Sequence, residues 1–236
     1  MAEALSRGMT EFIESVLRLQ PKLAAFDCDG TLWSGDAGES FFWWELENGL
    51  VSEEITRWAR ARYADYKAGK VSETTMCGEM VTLHKGLPEA RIQEATDSFF
   101  EANLASGIFP EMQALVRRLL EAACEVWAVS SSNQWIIRSA IPHFGIGRDK
   151  LLTTEAKIVN GMITDELIRV PSGPGKPEAI REVVKRTPDA AFGNSVWDRE
   201  MLEMSTHPFA INANLDLAAV AREKGWRLYF PERPKQ

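Results

Sequence analysis

Residues 24–33 read Ala-Ala-Phe-Asp-Cys-Asp-Gly-Thr-Leu-Trp, and more can be inferred from this run than from any other part of the chain. Its three apolar residues indicate a buried strand, which is followed by Asp27 and Asp29, two positions apart. Open α/β sheets bind ligands at the carboxyl ends of their strands. Two carboxylates this close resist joint ionisation unless a cation or a proton intervenes, so the pair points to a metal ion and to acid–base chemistry. The structural alternative is an ordinary Asp-Gly turn.

The composition of the 236-residue chain excludes several classes of function. Its formal charge of −7 argues against a nucleic-acid surface, which needs clustered Lys and Arg. No stretch approaches the ~18 unbroken apolar residues of a membrane span, and the N-terminal residues predict an amphipathic helix, not a targeting segment. Three scattered cysteines predict free thiols in a reducing compartment. We therefore expect a cytoplasmic protein, monomeric or homodimeric, with no nucleic-acid or membrane partner.

Extended and helical patterns alternate along most of the chain. The predicted strands are 22–27, 125–129, 190–192, 209–211 and 227–230. The predicted helices of the same region are 111–122, 134–143, 177–186, 198–204 and 215–224. Apolar runs on both sides of Asn160-Gly161 predict a hairpin within 151–168. This alternation predicts an α/β fold with a Rossmann-like, doubly wound and mainly parallel sheet.

Residues 35–107 interrupt this alternation, because they show helical periodicity and no strand pattern. Ser52 and Pro88 are plausible helix starts within the segment. About 70 residues are too many for a loop, so the segment predicts a helical cap domain inserted after the first strand. The α/β core domain then comprises residues 1–34 and 108–236.

Two further motifs contain groups suited to phosphate. Ser130 and Ser131 follow the predicted strand 125–129 and precede a helix, where hydroxyls and backbone N–H groups form an anion cradle. Lys176 lies in Gly-Pro-Gly-Lys just before a helix, where its ammonium can neutralise phosphate charge. The structural alternatives are an ordinary helix cap for the serines and a solvated surface side chain for the lysine.

A third motif, Gly193 to Asp198, again runs from a strand end into a helix. Asn194 and Asp198 offer oxygen ligands four residues apart. Ligation by oxygen with few carboxylates suits Mg²⁺, which keeps several waters and takes phosphate as a partner. A helix cap followed by an acid in the first turn is the structural alternative.

The order of these motifs resembles the haloacid dehalogenase superfamily, and specifically its phosphoserine-phosphatase-like branch. The resemblance covers essentially the whole chain after residue 20, and its first motif, Asp27 to Thr31, is highly specific. The resemblance implies a phosphatase, because Asp29 stands where the dehalogenases of the superfamily lack an acid. The implied roles are nucleophile for Asp27, general acid/base for Asp29, phosphoryl binding by Gly30, Ser130, Ser131 and Lys176, and Mg²⁺ binding by Asp27, the Asp29 carbonyl, Asn194 and Asp198.

Two departures from the family pattern bear on metal and substrate. Asn194 stands where the family usually has an aspartate, which predicts weaker metal affinity without loss of the site. Phosphoserine phosphatases carry a glutamate and an arginine that bind the amino acid, and by spacing these positions are Asp36 and Met80 here. Met80 cannot pair with a carboxylate, so phosphoserine is a doubtful substrate.

The insert also contains many aromatic residues, with Trp33 at its entrance. The set is Phe41, Phe42, Trp43, Trp44 and Trp58. Aromatic rings can box a quaternary ammonium or stack on a ring or sugar, although this spacing also fits a hydrophobic cap core. We take Trp33 and Asp36 as the residues that select the substrate.

The sequence therefore predicts a magnesium-dependent phosphomonoester hydrolase that acts on a small phosphorylated metabolite through an aspartyl-phosphate. Two alternatives remain. One is a phosphotransferase or mutase that uses the same intermediate. The other is a weakly active, phosphate-binding regulatory protein.

Overall fold

The computed structural model describes residues 7–232. Their strands are β1 (Leu23–Phe26), β2 (Glu125–Asn133), β3 (Leu151–Val159), β4 (Met162–Arg169), β5 (Ala190–Gly193), β6 (His207–Ile211) and β7 (Arg227–Tyr229). Their helices are α1 (Arg7–Leu17), α2 (Ala37–Glu47), α3 (Glu53–Lys67), α4 (Glu73–Thr82), α5 (Glu89–Asn103), α6 (Pro110–Glu121), α7 (Gln134–Ala140), α8 (Gly175–Ala179), α9 (Arg199–Met204) and α10 (Leu215–Lys224). Glu3 and Leu5, which belong to the predicted N-terminal helix, lie outside the described residues.

The strands form one sheet in the order β4-β3-β2-β1-β5-β6-β7, and this confirms the predicted fold class. β1 lies at the centre and pairs in parallel with β2 and β5. Every residue of β1 is buried, as expected for a parallel strand that is covered on both faces. On one face Phe26, Phe192 and Phe209 stack in series, and on the other Ala25, Val129 and Ala191 pack against the helices.

The antiparallel pair β3–β4 is the predicted hairpin. Its turn residues Asn160 and Gly161 have φ angles of 52° and 76°. Positive φ at both central residues is typical of the turn that matches the twist of a two-residue hairpin, and Asn-Gly is its favoured sequence. The hairpin prediction is therefore confirmed, together with its physical reason.

The segment 35–107, which we call the helical insert, contains α2 to α5 between β1 and α6. Ser52 begins α3 as predicted, because its hydroxyl accepts the Ile55 N–H. The insert is bonded to the hairpin through backbone groups: Gly86 N donates to Ile163 O at 2.8 Å, and Ile163 N donates to Leu87 O at 3.0 Å. The division into a cap domain and a core domain stays a prediction.

Several element boundaries differ from the sequence prediction, two of them beside the strand ends that carry predicted site residues. β2 continues to Asn133 instead of ending at residue 129, because Asn133 pairs with Thr154 of β3 after a register shift. The predicted helix 177–186 begins earlier, at Gly175, and α8 passes into a wider helical turn over Ile180–Val184. Within residues 7–232 no helix is both long and apolar enough to cross a membrane.

Candidate active site

The carboxyl ends of β1, β2 and β5 meet in one cleft of about 450 Å³. Predicted site residues that line it are Asp27, Asp29, Gly30, Asp36, Ser131, Lys176, Asn194 and Asp198. They come from separate motifs that span more than 170 residues of sequence, and the parallel strand order brings them to the same edge. The structure therefore groups nearly all the predicted residues at one place.

Lys176 lies at the centre of this group. Its Nζ donates to Asp27 Oδ1 at 2.7 Å, to Asp198 Oδ1 at 2.6 Å and to the Val129 carbonyl at 3.0 Å. Asp27, Lys176 and Asp198 are 6%, 1% and 1% exposed. The lysine is thus a buried cation that holds two carboxylates together, and the surface-lysine alternative is wrong.

The charged groups of this triad shift one another's pKa values. Burial raises the pKa of Asp27 to about 6, and the neighbouring Asp198 carboxylate adds to the rise while Lys176 opposes it. Burial alone would lower the pKa of Lys176, but Asp198 and Asp27 outweigh burial and raise it. The lysine is therefore charged at neutral pH, and the triad retains one net negative charge when both carboxyls are ionised.

Asp29 is held by donors on both of its oxygens. Its Oδ1 accepts the Trp33 indole N–H at 2.9 Å and the Ala37 backbone N–H at 2.6 Å. Its Oδ2 accepts the Ser132 hydroxyl at 2.5 Å. Burial raises the pKa of Asp29 to about 7, with the nearby Asp36 charge as the second cause. A carboxyl fixed in position with a pKa near neutrality is suited to proton transfer in both directions.

Gly30 allows Asn194 to approach the first motif closely. A Cβ added to Gly30 would lie 1.8 Å from Asn194 Nδ2, and the φ of Gly30 is +73°. The Gly30 carbonyl accepts the side-chain amide of Asn212 at 3.0 Å. The glycine is therefore required twice, for its backbone conformation and for the space that the amide occupies.

The donor set fits a magnesium ion. Asp27 Oδ1 and Asp198 Oδ1 each accept the Lys176 ammonium, and a carboxylate oxygen has capacity for a second interaction. Asn194, whose side-chain amide lies against Gly30, also lines the cleft and carries an amide oxygen. Within residues 7–232 no three acidic, His or Cys side chains are grouped to hold a metal, but Mg²⁺ is commonly bound by one or two carboxylates with waters and substrate phosphate.

Asp198 has a second task. Its Oδ2 accepts the backbone N–H groups of Asn194 and Ser195, each at 2.9 Å, and the Ser195 hydroxyl at 3.3 Å. These bonds cap the turn that follows β5. The alternative interpretation of this motif as a helix cap is therefore correct as well. Asp198 forms the cap and also contacts Lys176.

The serines after β2 differ in exposure. Ser131 and Ser132 line the cleft, whereas Ser130 is 1% exposed and its hydroxyl accepts the Ser132 N–H at 3.1 Å. No acceptor for the Ser130 hydroxyl proton appears among residues 7–232, but Ser130 is not among the residues that line the cleft. Ser132 was not singled out from the sequence, although it bonds directly to Asp29.

Trp33 does not select a substrate, and this prediction is corrected. Its side chain is fully buried against Phe100 and Phe144, and its indole N–H donates a hydrogen bond to Asp29. Its rings therefore belong to the core. Asp36 does line the cleft, where its carboxylate also caps α2 by accepting the Glu39 N–H at 2.7 Å.

The aromatic residues of the insert are mainly core. Phe41 packs with Trp44 and Phe99, and Trp58 is 44% exposed away from the cleft lining. The sequence reasoning missed Tyr63 and Tyr66, which lie three residues apart on one face of α3. It also missed two acids that bond to these tyrosines, Glu39 and Glu73. The sequence signal that could have indicated these residues is the helical spacing of acids and tyrosines after Asp36.

Comparisons with known proteins identify a family for the chain. The model of a family described as haloacid dehalogenase-like hydrolase matches residues 24–203. A histidinol-phosphatase of Neisseria meningitidis is 26% identical over 220 residues, which cover 86% of this chain and 96% of that protein. A phosphoserine phosphatase of Mycobacterium tuberculosis is 25% identical over 222 residues, which cover 87% of this chain and 69% of that protein.

Solved structures are similar over nearly the whole chain. A Bordetella pertussis protein of unknown function superposes with a TM-score of 0.78 at 19% identity, covering 88% of this chain and 97% of that one. A substrate-bound phosphoserine phosphatase superposes with a TM-score of 0.58 at 15% identity, covering 90% and 93%. At these identities the likeness concerns the fold alone.

Proposed function

The chain belongs to the haloacid dehalogenase-like hydrolase family, in its phosphoserine-phosphatase-like branch, and from this premise we propose that it is a magnesium-dependent phosphomonoesterase that works through an aspartyl-phosphate. One observation carries the proposal: the Lys176 ammonium holds Asp27 and Asp198 together at the strand edge. An acid so placed can approach an anionic phosphate with less repulsion. Asp29 lies beside it with its carboxyl fixed by hydrogen bonds.

In the first half-reaction a carboxylate oxygen of Asp27 attacks phosphorus, and the bond between phosphorus and the ester oxygen breaks. Asp29, protonated, gives its proton to the leaving alkoxide. The charge of Lys176 attracts the phosphoryl oxygens, and the backbone of Gly30 binds them together with the hydroxyls of Ser130 and Ser131. Phosphoryl transfer depends mainly on such positioning and charge neutralisation.

In the second half-reaction Asp29, now ionised, takes a proton from a water molecule. The water oxygen attacks phosphorus, the bond to Asp27 breaks, and inorganic phosphate leaves. The pKa of Asp29, raised to about 7, suits a group that must give and take a proton near neutral pH. Each turnover then restores both acids to their starting forms.

Asp27, the Asp29 carbonyl, Asn194 and Asp198 would hold Mg²⁺. When bound, the ion supplies positive charge that stabilises the transferring phosphoryl group. The names of the relatives indicate the substrate class, because histidinol phosphate and phosphoserine are both phosphate esters of amino alcohols. We propose that the substrate is a small metabolite of this kind.

The test is phosphate release from a panel of phosphomonoesters, with Mg²⁺, with chelator, and with the Asp27→Asn variant. We expect release that needs the metal and is lost in the variant. Release that survives Asp27→Asn would refute the assignment of the nucleophile. Added acceptor alcohols in the same assay distinguish hydrolysis from transfer, because a transferase would form a new ester in place of free phosphate.

A further inference from the structure

A second cavity adjoins the cleft on the side of the helical insert. It has a volume of about 80 Å³ and is lined mainly by α2, α3 and α4. Since ~10–15 Å³ of such space holds one water, the cavity accommodates a small organic group. Five residues line both spaces: Asp36, Tyr66, Glu73, Ser131 and Ser132. An ester with its phosphate at Asp27 would therefore extend its alcohol part into this cavity.

The cavity walls are acidic. Asp36, Glu39 and Glu73 line it, and within residues 7–232 none of the three forms an ion pair. Tyr63 donates its hydroxyl proton to Glu39 Oε1, and Tyr66 donates to Glu73 Oε2. Burial, reinforced by the bonded carboxylates, raises the pKa of both phenols, so they remain donors. The two phenols thus hold the Glu39 and Glu73 carboxyls in fixed orientations.

Groups of the protein itself compensate this negative charge only in part. Glu73 Oε1 has a thiol donor, Cys77 Sγ, at 3.7 Å, which is a weak partner for a carboxylate. Glu45 also lines the cavity, but its charge is met by His84, whose Nε2 lies 2.6 Å away. The uncompensated charge therefore belongs to Asp36, Glu39 and Glu73.

The aromatic walls attract a cation too. The ring of Tyr63 lies 5.5 Å from the Phe42 ring and 5.6 Å from the Tyr66 ring, measured between centroids. Lys67, the single basic side chain among the described lining residues, is exposed, and its Nζ lies 5.4 Å from the centroid of Tyr63 and 5.8 Å from that of Tyr66. An ammonium of the chain is thus already drawn to these faces.

Among the described lining residues a substrate carboxylate finds one cation, the exposed Lys67, against the three acids. No arginine is among the described lining residues, and Met76 and Met80 present apolar surface. A carboxylate placed here would face the three acids, and Lys67 is the single lining cation that could compensate for its lost hydration.

Resting on the proposed function, we propose that this cavity binds the ammonium group of the leaving alcohol through Asp36, Glu39 and Glu73 with the faces of Tyr63 and Tyr66. The substrates are phosphate esters of amino alcohols that carry no carboxylate. The cavity therefore selects for the amine and against amino acids such as phosphoserine.

The experiment compares two matched pairs of esters by kcat/KM. Ethanolamine phosphate and ethylene glycol monophosphate differ by an ammonium in place of a hydroxyl. Serinol phosphate and phosphoserine differ by a hydroxymethyl in place of a carboxylate. We expect at least a tenfold preference for the first member of each pair. A ratio near one, or a reversed ratio, overturns the proposal even if Asp27-dependent turnover is normal.

A double variant tests the residues. Glu39→Gln with Glu73→Gln keeps oxygen acceptors for both tyrosines and removes two charges, so we expect the amine preference to fall at least fivefold. Glu79→Gln on α4 is the matched control, because Glu79 pairs with Arg62 outside the cavity lining. An unchanged preference in the double variant, or an equal loss in the control, contradicts the assignment.

Binding separates failure of this proposal from failure of the proposed function. If no ester is hydrolysed, Asp27→Asn protein is titrated calorimetrically with serinol phosphate and with phosphoserine. At least tenfold tighter binding of serinol phosphate supports the amine site without any turnover. Equal affinities, tighter phosphoserine binding, or no binding of either ester overturns it.

Discussion

The hydroxyl of Ser132 donates a 2.5 Å hydrogen bond to Asp29 Oδ2, so the end of β2 fixes the carboxyl that follows β1. In the proposed mechanism Ser132 forms and breaks no covalent bond itself, and it acts through Asp29 as a positioning residue. Its loss leaves Asp29 with donors on one oxygen, from Trp33 and Ala37. Removal of the Ser132 hydroxyl therefore tests whether the orientation of the Asp29 carboxyl matters for turnover.

We expect Ser132→Ala to lower kcat about tenfold. This loss is a part of the rate enhancement that a positioned general acid or base supplies. KM should change little, and Ser132→Thr should recover most of kcat because it restores a hydroxyl. Steady-state kinetics on one ester measure both values. Ser34→Ala is the control, since that hydroxyl bonds to the Gly107 carbonyl outside the cleft lining. If the kcat of Ser132→Thr is as low as that of Ser132→Ala, the positioning role of Ser132 is refuted.

Removal of Lys176 should affect stability and activity together. Lys176→Met leaves Asp27 and Asp198 buried without their cation, and we expect a loss of about 3–5 kcal/mol in the free energy of unfolding. Because the acids then repel each other only when ionised, the loss should shrink as the pH falls. Urea titrations at several pH values measure it.

The double variant Lys176→Met with Asp198→Asn separates the two effects. We expect it to regain much of the stability, because one buried charge is gone, and to remain inactive. If activity returns with stability, the lysine has a structural role alone.

Gly30→Ala should abolish most activity. The added Cβ would meet Asn194 Nδ2 at 1.8 Å, so Asn194 or the loop of the first motif must move. A displacement of about 1 Å at a reacting group can cost on the order of 100-fold in rate. Gly49→Ala is a matched control, because Gly49 also has a positive φ, +68°, but has open space around it. Similar rate losses in both variants would contradict the argument.

Asn194→Asp should strengthen magnesium binding. The change adds one negative charge beside Gly30 in the cleft lining, and ligand charge tunes affinity at oxygen sites. We expect about a tenfold lower Kd for Mg²⁺, equivalent to about 1.4 kcal/mol. Magnesium titrations of activity, and of the unfolding temperature, measure it independently. Unchanged affinity by both readouts would remove Asn194 from the metal site.

The buried pair Glu45–His84 should tolerate a neutral replacement. Both side chains are at most 1% exposed, and burial raises the pKa of Glu45 although His84 opposes the shift. Glu45→Gln keeps a hydrogen bond to the ring and should change stability by no more than about 1 kcal/mol. Glu45→Ala leaves the imidazole without that partner and should cost about 3 kcal/mol.

The pH dependence of this pair follows from the direction of the shift. A raised folded pKa means that ionised Glu45 costs folding free energy, and this cost is absent below its unfolded pKa. As the pH rises through the folded pKa, the native protein should lose stability relative to Glu45→Gln. Thermal unfolding of both proteins across this range is the measurement, and a constant difference would contradict it.

The parallel sheet and its strand-end residues could be predicted because each depends on local sequence. An apolar run followed by a polar strand end is visible in β1 and β5 without knowledge of any neighbour. The burial of Trp33 could not be predicted in this way, since it depends on Phe100 from α5 and Phe144 from beyond α7.

The cavity next to the cleft was missed for the same physical reason. The spacing that includes Trp58 fits a hydrophobic cap core, yet Trp58 is 44% exposed, and Tyr63 takes the buried position one turn from Ala59. The choice of face depends on how α3 packs against α2 and α4, which periodicity alone does not fix. The pairing of Tyr63 with Glu39, 24 residues away, is likewise a tertiary fact.

The backbone hydrogen bonds between the helical insert and the β3–β4 hairpin limit how the active site can open. Gly86, Leu87 and Ile163 share ladder-like bonds, and Glu89 N donates to Gly161 O at 2.9 Å. The insert cannot swing away as a detached lid without breaking these bonds or pulling β3 from β2. The insert and the β3–β4 hairpin would therefore have to move together when the cleft opens to admit a metabolite.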